Sequence, residues 1–354
     1  MRSVSLTDLR EWLADDSDFV VFRHPNSDVI WILKAESTLS INAFSELTEI
    51  PSGFIFAPFD LNNSPVLILQ GEKIALSASE QGCSFSNTSQ PIENSNQRNT
   101  ICQDYEKDFS IFKQALQKGD FQKLVLARGE EFSTQADPIL LFQEACVAYP
   151  NSMVYLLNNQ HCGMWLGATP EVLLENDGSQ LHTIALAGTM PAAQQPCVWS
   201  EKNRREQSIV TDYLRKNIGS FGKIINEHGP YTYPSAHLVH LKTDLYLQAK
   251  KEHITQLICS IHPTPAVCGI PKSEALQFIN SHESLQREYY AGFLGYVDSD
   301  ESFRLFVNLR CMKWTTSTTV RLIAGGGLLS DSILEQEWNE TKMKMQTLLR
   351  LPSF

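Results

Sequence analysis

Near the C-terminus, the segment EWNETKMK sets Glu337, Glu340 and Lys344 at i, i+3 and i+7, which gathers them into one narrow arc of a helix. Trp338, Thr341, Met345 and Leu348 fall on another face and have the character of core. Two carboxylates on one arc can serve a hard cation, or can belong to a solvated face with an i,i+4 Glu–Lys pair. The first use needs another element to bring charge opposite the arc. Glu206, in EKNRREQSIVTDYLR, is placed for that, beside an apolar stripe of Ile209, Val210 and Tyr213. Two or three carboxylates from separate helices, with waters and a substrate carboxylate, make an oxygen set that suits Mg²⁺.

Two further residues form a potential base and acid. Lys123 opens the otherwise apolar strand KLVLARG, and Glu171 follows a proline in the apolar run LGATPEVLL. Burial disfavours the charged form of each, which turns a lysine toward a base and a carboxyl toward an acid. Environments that push two groups apart in this way allow one site to run both roles. The strand FRLFVNLR alternates, with Phe303, Leu305, Val307 and Leu309 to one side and Arg304, Asn308 and Arg310 to the other. Arg310 is therefore expected at a strand end, as a bidentate clamp for a carboxylate or as an ordinary edge arginine. AGGG (324–327) follows strand-like residues and can bring backbone N–H groups to an anion, although three glycines also make a plain turn. The stretch IHPTPAVCGIPK (261–272) is too rich in Pro and Gly for a helix or strand interior, so it holds one backbone shape against something.

The elements that must position these groups are legible in part. Short runs VVFRH, DVIWILKA, FIFAPF and PVLILQG make the first 75 residues β-rich. A polar connection, 77–100, separates them from the helix DYEKDFSIFKQALQKGD, which Gly119 caps. Strands are expected in KLVLARGEEF, MVYLLNN, GMWLGATPEVLLE, QLHTIALAGT, HLVHLKTDLYL and TTVRLIAGGG, with a hairpin GFLGYVDSD–ESFRLFVNLR. Helices are expected over about 200–218, near 283–291 and over about 332–349. Strands outnumber helices and pair as sequence neighbours, which predicts a single large α+β domain with big mixed or antiparallel sheets in its core and helices outside. Residues 1–100 are read as its β-rich N-terminal part and 101–354 as its catalytic region.

The chain has 354 residues and a formal net charge of −11, which argues against nucleic acid or an anionic membrane as partner. Its eight cysteines show no C-x-x-C pair and no zinc-ligand spacing, as expected of free thiols in a reducing cytosol. The N-terminus carries acids where a signal peptide needs a cationic start, and no stretch approaches the ~20 apolar residues of a membrane span. A soluble, cytoplasmic protein is the expectation.

From about residue 105 onward, the chain resembles the chorismate-utilising enzymes. The motifs that carry the resemblance occur in order: KLVLAR, LGATPEVLL, ALAGT, EQSIV, HLVHLKT, HPTPAVCGIPK, REYYAGFLGYVD, FVNLR, AGGGLLSDS and EWNETKMK. The resemblance implies that family's α+β domain, and it implies roles residue by residue. Lys123 corresponds to a base that activates water for attack at C2 of chorismate, and Glu171 to the acid that protonates the departing C4 hydroxyl. Glu206 and Glu340 match the carboxylates for Mg²⁺, with Glu337 close by. Arg310 and the Gly325 backbone match the clamp on the enolpyruvyl carboxylate, while Gly188, Thr189, His240 and Lys344 match other pocket positions. The loop HPTPAV, with Ala266 and Val267, resembles the version found in isochorismate synthases; anthranilate and salicylate synthases usually carry threonine at the place of Ala266. AGGG departs from the family's more frequent AGAG. The implied activity is Mg²⁺-dependent conversion of chorismate to isochorismate by a monomer without a glutaminase subunit, feeding menaquinone or siderophore synthesis. The alternatives are a salicylate synthase that also eliminates pyruvate, an ammonia-using subunit with a glutaminase partner, and a non-catalytic chorismate-binding homologue.

Overall fold

The computed structural model describes residues 6–47, 49–76, 100–192, 198–235 and 238–354; the polar connection expected over 77–100 lies outside them except for Thr100. The fold is one α+β domain built on two nine-stranded sheets. The first runs Gly269–Ile270, Lys123–Ser133, Thr319–Leu328, Cys311–Thr316, Gly163–Thr169, Met153–Asn159, Phe19–Arg23, Ile30–Lys34 and Lys73–Ala75. The second runs Gly222–Ser235, Leu238–Ala249, Leu181–Pro191, Val172–Asn176, Phe303–Val307, Phe293–Val297, Gly53–Ala57, Val66–Gln70 and Ser37–Ile41. Every described strand pair is antiparallel, so of the two sheet types expected the antiparallel one is realised.

The apolar runs follow from which faces are covered. In Met153–Asn159 every residue is buried. Tyr155 and Leu157 face the core shared with the second sheet, while Val154 and Leu156 pack with Ile139, Phe142 and Leu348. Those last three belong to the helices Pro138–Ala148 and Leu334–Leu349, which cover the outer face of the first sheet. A strand buried on both faces reads as continuously apolar.

The chain passes between the sheets at two points that matter for chemistry. GMWLGATPEVLLE is two strands, Gly163–Thr169 in the first sheet and Val172–Asn176 in the second, because Pro170 cannot donate to a ladder. FRLFVNLR likewise ends as a strand at Val307, and residues 308–310 lead to Cys311–Thr316 in the other sheet. Arg310 thus sits in a crossover with φ of 50°, three residues beyond the strand's end at Val307, and not at a strand end as its alternation implies. The two crossovers bond to each other: Thr169 Oγ1 donates to Val307 O at 2.6 Å, and Val307 N to Glu171 O at 2.8 Å.

The helix expected near 283–291 is absent; the helix there is Lys272–His282, and the following residues form turns in which Glu288 and Ala291 have positive φ. The physical reason is that Glu283 and Arg287 spend their polar groups on distant backbone. Arg287 pairs with Glu283 at 2.6 and 2.7 Å and donates to Val267 O at 2.7 Å and Val125 O at 2.8 Å. Glu283 Oε1 accepts from Ala127 N at 2.7 Å. Helices Pro138–Ala148 and Ile254–Ile261 and the edge strand Gly222–Ser235 were not expected from the pattern. Helix Gln103–Lys118 ends as expected at Gly119, whose φ of 83° suits the left-handed cap.

Both Arg287 and Glu283 are essentially buried. Arg287→Met would strand the Glu283 carboxylate in the interior, and a broken buried pair costs about 3–5 kcal/mol. Denaturant melts of the variant should show a loss of that order; a loss below about 1 kcal/mol would remove this pair from its structural role.

Candidate active site

A cleft with about 640 Å³ of empty space, partly open to solvent, lies where the crossovers meet the Pro-rich loop. Glu171 and Arg310 reach it from the two crossovers, and Glu206 from the helix Glu201–Phe221. Gly188, Thr189 and His240 reach it from adjacent strands of the second sheet, Ala266 and Val267 from the loop, and Gly325 and Lys344 from the C-terminal strand and helix. Lys123 stands behind Glu206, fully buried, with Nζ 2.8 Å from Glu206 Oε1. That contact is a close charge pair and not an aligned hydrogen bond, so the ammonium has no aligned acceptor among the described residues.

The glycines of AGGG explain how charged groups come so close to a strand. A Cβ at Gly327 would stand 2.1 Å from Glu206 Oε1 and 2.9 Å from Lys123 Cε. A side chain there would push Glu206 and Lys123 out of their contact. On the other face, the Cβ position of Gly326 is 3.5 Å from Glu337 Oε2 and 3.7 Å from Glu340 Oε1. The family-type AGAG would put a methyl at residue 326 in ordinary van der Waals contact with both carboxylates.

The three carboxylates expected to serve a cation are each matched by a lysine: Glu206 by Lys123, Glu340 by Lys344 at 2.7 Å, and Glu337 by Lys202. Among the described residues, no three metal-type ligands converge into a preformed cage. Glu337 and Glu340 flank the strand and do not themselves line the cleft. Glu337 is wholly buried, and its Oε2 has no aligned hydrogen-bond partner among the described residues. This arrangement fits Mg²⁺ held by one or two carboxylates with substrate oxygens and water, the usual manner for that ion, and does not fit an all-protein shell.

His240 and Arg310 form a chain on one wall. Gly188 has φ of 74° at a register shift between Ala187 and Thr189, a bulge that turns this end of the strand toward the cleft. His240 Nδ1 lies 3.1 Å from Gly188 O and must donate to that carbonyl, which leaves Nε2 to accept from Arg310 Nη2 at 3.2 Å. The neutral tautomer follows from the network. Arg310 Nη1 donates to Thr347 Oγ1 at 3.2 Å. Burial pulls Arg310 down to about 10, which keeps it cationic near neutrality.

The Pro-rich loop is fixed from both ends and the middle. His262 Nε2 lies 3.2 Å from the carbonyls of Pro58 and Phe59, and Lys272 Nζ donates to Cys259 O at 2.7 Å and Ser260 O at 3.1 Å. Gly269 and Ile270 pair with Leu124 and Lys123. With Arg287 holding Val267 O, the loop presents Ala266 to the cleft beside the Lys123 strand. Tyr290, buried with its hydroxyl 3.1 Å from the Cβ position of Gly325, also lines the cleft and was not singled out by its pattern; Lys202, i−4 from Glu206, was equally missed.

Burial pushes the Glu171 carboxyl up to about 7, and Lys123, Lys344 and Arg310 only partly offset that. A buried acid that carries a proton near neutrality, lining a cleft with Arg310 and Glu206 and backed by Lys123, can perform acid–base chemistry on an anionic ligand.

Residues 66–351 match the family model described as chorismate binding enzyme, and the chain belongs to that family. Isochorismate synthase EntC of Escherichia coli (strain K12) is 32% identical over 244 residues, a match covering 65% of this chain and 62% of EntC, less than two thirds of that protein's length. Among solved structures, the menaquinone-specific isochorismate synthase MenF from Escherichia coli aligns with a TM-score of 0.76 at 21% identity, over 99% of this chain and 93% of that one. Anthranilate synthase component I from Streptococcus pneumoniae TIGR4 aligns with a TM-score of 0.64 at 16% identity, over 94% and 90%. These similarities show the shared fold.

The Glu171 environment yields a pH signature. Its carboxyl moves from 4.5 to about 7 on folding, so the folded state holds the proton more tightly. The associated stability is complete below 4.5 and is lost as pH rises through 7, about 3 kcal/mol in all. Glu171→Gln cannot ionise, so its melting temperature should fall less between pH 5 and pH 8.5 than that of the wild type. Parallel melting profiles would contradict the buried-acid assignment.

Proposed function

We propose that this protein is an isochorismate synthase. The observation that carries the reading is the pairing, around one cleft, of a buried acid raised to about 7 with a buried lysine whose Nζ has no aligned acceptor. Lys123, in its neutral amine form, accepts a proton from water as its oxygen bonds to C2 of chorismate. The ring double bonds shift, the C4–O bond breaks, and Glu171 gives its proton to the departing hydroxyl. One water enters and one leaves, so the reaction is an isomerisation. Arg310, held by His240 and Thr347, takes the enolpyruvyl carboxylate together with the Gly325 backbone. Glu206 and Glu340, with Glu337, would hold Mg²⁺, which when bound neutralises the ring carboxylate.

Ala266 favours a synthase that stops at isochorismate, and Lys123, as a water-activating base, favours independence from ammonia and a glutaminase subunit. The names of the relatives, menaquinone-specific MenF and a vibriobactin-specific isochorismate synthase, support a product destined for menaquinone or a siderophore. We assign residues 1–100 to the same domain as the catalytic region 101–354, and the active form to a monomer in the cytoplasm. No described helix is long and apolar enough to cross a membrane.

Incubation with chorismate and Mg²⁺ should give isochorismate without added ammonia, and exhaustive chelation should abolish turnover until Mg²⁺ is restored. Pyruvate and salicylate formed as fast as chorismate is lost would transfer the assignment to salicylate synthase. Lys123→Ala should lower kcat by roughly two to four orders of magnitude, the usual worth of general acid–base catalysis, with chorismate binding by calorimetry little changed. Near-normal turnover would mean that another group is the base.

A further inference from the structure

Glu340 and Glu337 lie one turn apart on the same helix but are held in different ways. Glu340 is fixed from its own helix: Lys344, at i+4, pairs with Glu340 Oε1 and also donates to Gly325 O at 2.7 Å. Glu337 has no such neighbour. The residue four positions on is Thr341, whose hydroxyl accepts from Arg128 Nε at 2.8 Å and donates to Trp338 O at 2.8 Å. The cation that holds Glu337 comes from another element, Lys202, in the first turn of the helix Glu201–Phe221.

That contact divides the carboxylate. Lys202 Nζ donates to Oε1 and the Ser332 hydroxyl also acts on the carboxylate, while Oε2 is buried with no aligned hydrogen bond among the described residues, 3.5 Å from the point where a side chain at Gly326 would begin. An unsatisfied buried acceptor ordinarily costs about 1–3 kcal/mol, and a site that keeps one has a use for it. The same helix carries Glu206 four residues after Lys202, so a single helical face delivers a cation to Glu337 and a carboxylate to Lys123.

We propose that Lys202 is a positioning residue for the divalent cation: by tying down Glu337 Oε1 it presents Oε2 to the metal. The inference rests on the Mg²⁺ requirement proposed above. A ligand whose second oxygen is held by a fixed donor is already oriented before the ion arrives, and loss of such an outer contact typically weakens metal binding about 10–100-fold. The opposite role, in which the ammonium competes with the ion for Glu337, predicts the opposite sign.

Mn²⁺ is the probe, titrated into the full chain without substrate and followed by the electron paramagnetic resonance of the free ion. Lys202→Met should raise the Mn²⁺ Kd about tenfold or more, and Lys202→Arg, which keeps a cationic donor, should stay within a few-fold of wild type. Lys202→Gln serves as a second neutral variant, and near-ultraviolet circular dichroism verifies that each variant is folded. A purely structural Lys202 would lower the melting temperature without changing the Kd, and that result overturns the proposal. A tighter Kd in Lys202→Met overturns it as well, in favour of competition. A wild-type protein that binds no Mn²⁺ either alone or with chorismate present defeats the metal requirement itself, an outcome distinct from the other two.

Discussion

The cleft depends on one buried ion pair that lies outside it. Arg287 and Glu283 bond each other, and between them they hold the backbone of the Pro-rich loop at Val267 and of the Lys123 strand at Val125 and Ala127. A guanidinium is suited to this because its fork of donors can serve a carboxylate and two carbonyls at once, which an ammonium cannot do with the same geometry. Val125 and Ala127 are in turn the partners of Gly327 and Gly325 across the sheet. The pair therefore fixes the wall that carries Ala266, the strand that carries Lys123 and the glycine ribbon between the carboxylates. Interior ion pairs are poor sources of net stability, and the gain here is in the register of three segments.

Around that frame the charges are balanced locally. Lys123, Lys202 and Lys344 oppose Glu206, Glu337 and Glu340 one for one, and Arg310 forms no ion pair among the described residues, its guanidinium bonding His240 and Thr347. A chain with a formal net charge of −11 thus keeps this cluster locally near neutral, with one guanidinium outside the ion pairs. Glu171 fits the same pattern, since burial raises its carboxyl to about 7 and so reduces the negative charge it brings to the cleft near neutrality.

Much of this was legible in the order of residues. The arc of Glu337, Glu340 and Lys344 and the strands on either side follow from helix and strand periodicity, which is local. Where sequence reasoning failed, the deciding partner was far away. Glu283 and Arg287 have the i,i+4 spacing of a helical pair, yet their partners at Val125 and Ala127 lie more than 150 residues earlier, and they sit in a turn. Arg310 continued an alternating run, but the chain left that sheet at Val307 to enter the other. Lys202 looked like one more charge on a polar helix because Glu337, its partner, is 135 residues away. The split of GMWLGATPEVLLE at Pro170 was available from proline alone, although the change of sheet was not.

The two crossovers also bear on how the molecule comes into being. Glu171 and Arg310 stand on the joints between the sheets, each bonded to the neighbouring joint or to the opposite wall, so neither sheet by itself owns the acid or the clamp. A nascent chain released before Cys311–Thr316 and Thr319–Leu328 are made would lack the last crossover's landing strands and the glycine ribbon together. The last 44 residues, Cys311 to Phe354, thus carry the strands that seat Arg310, the glycine ribbon and the helix bearing Glu337, Glu340 and Lys344, and a chain lacking them has no assembled cleft.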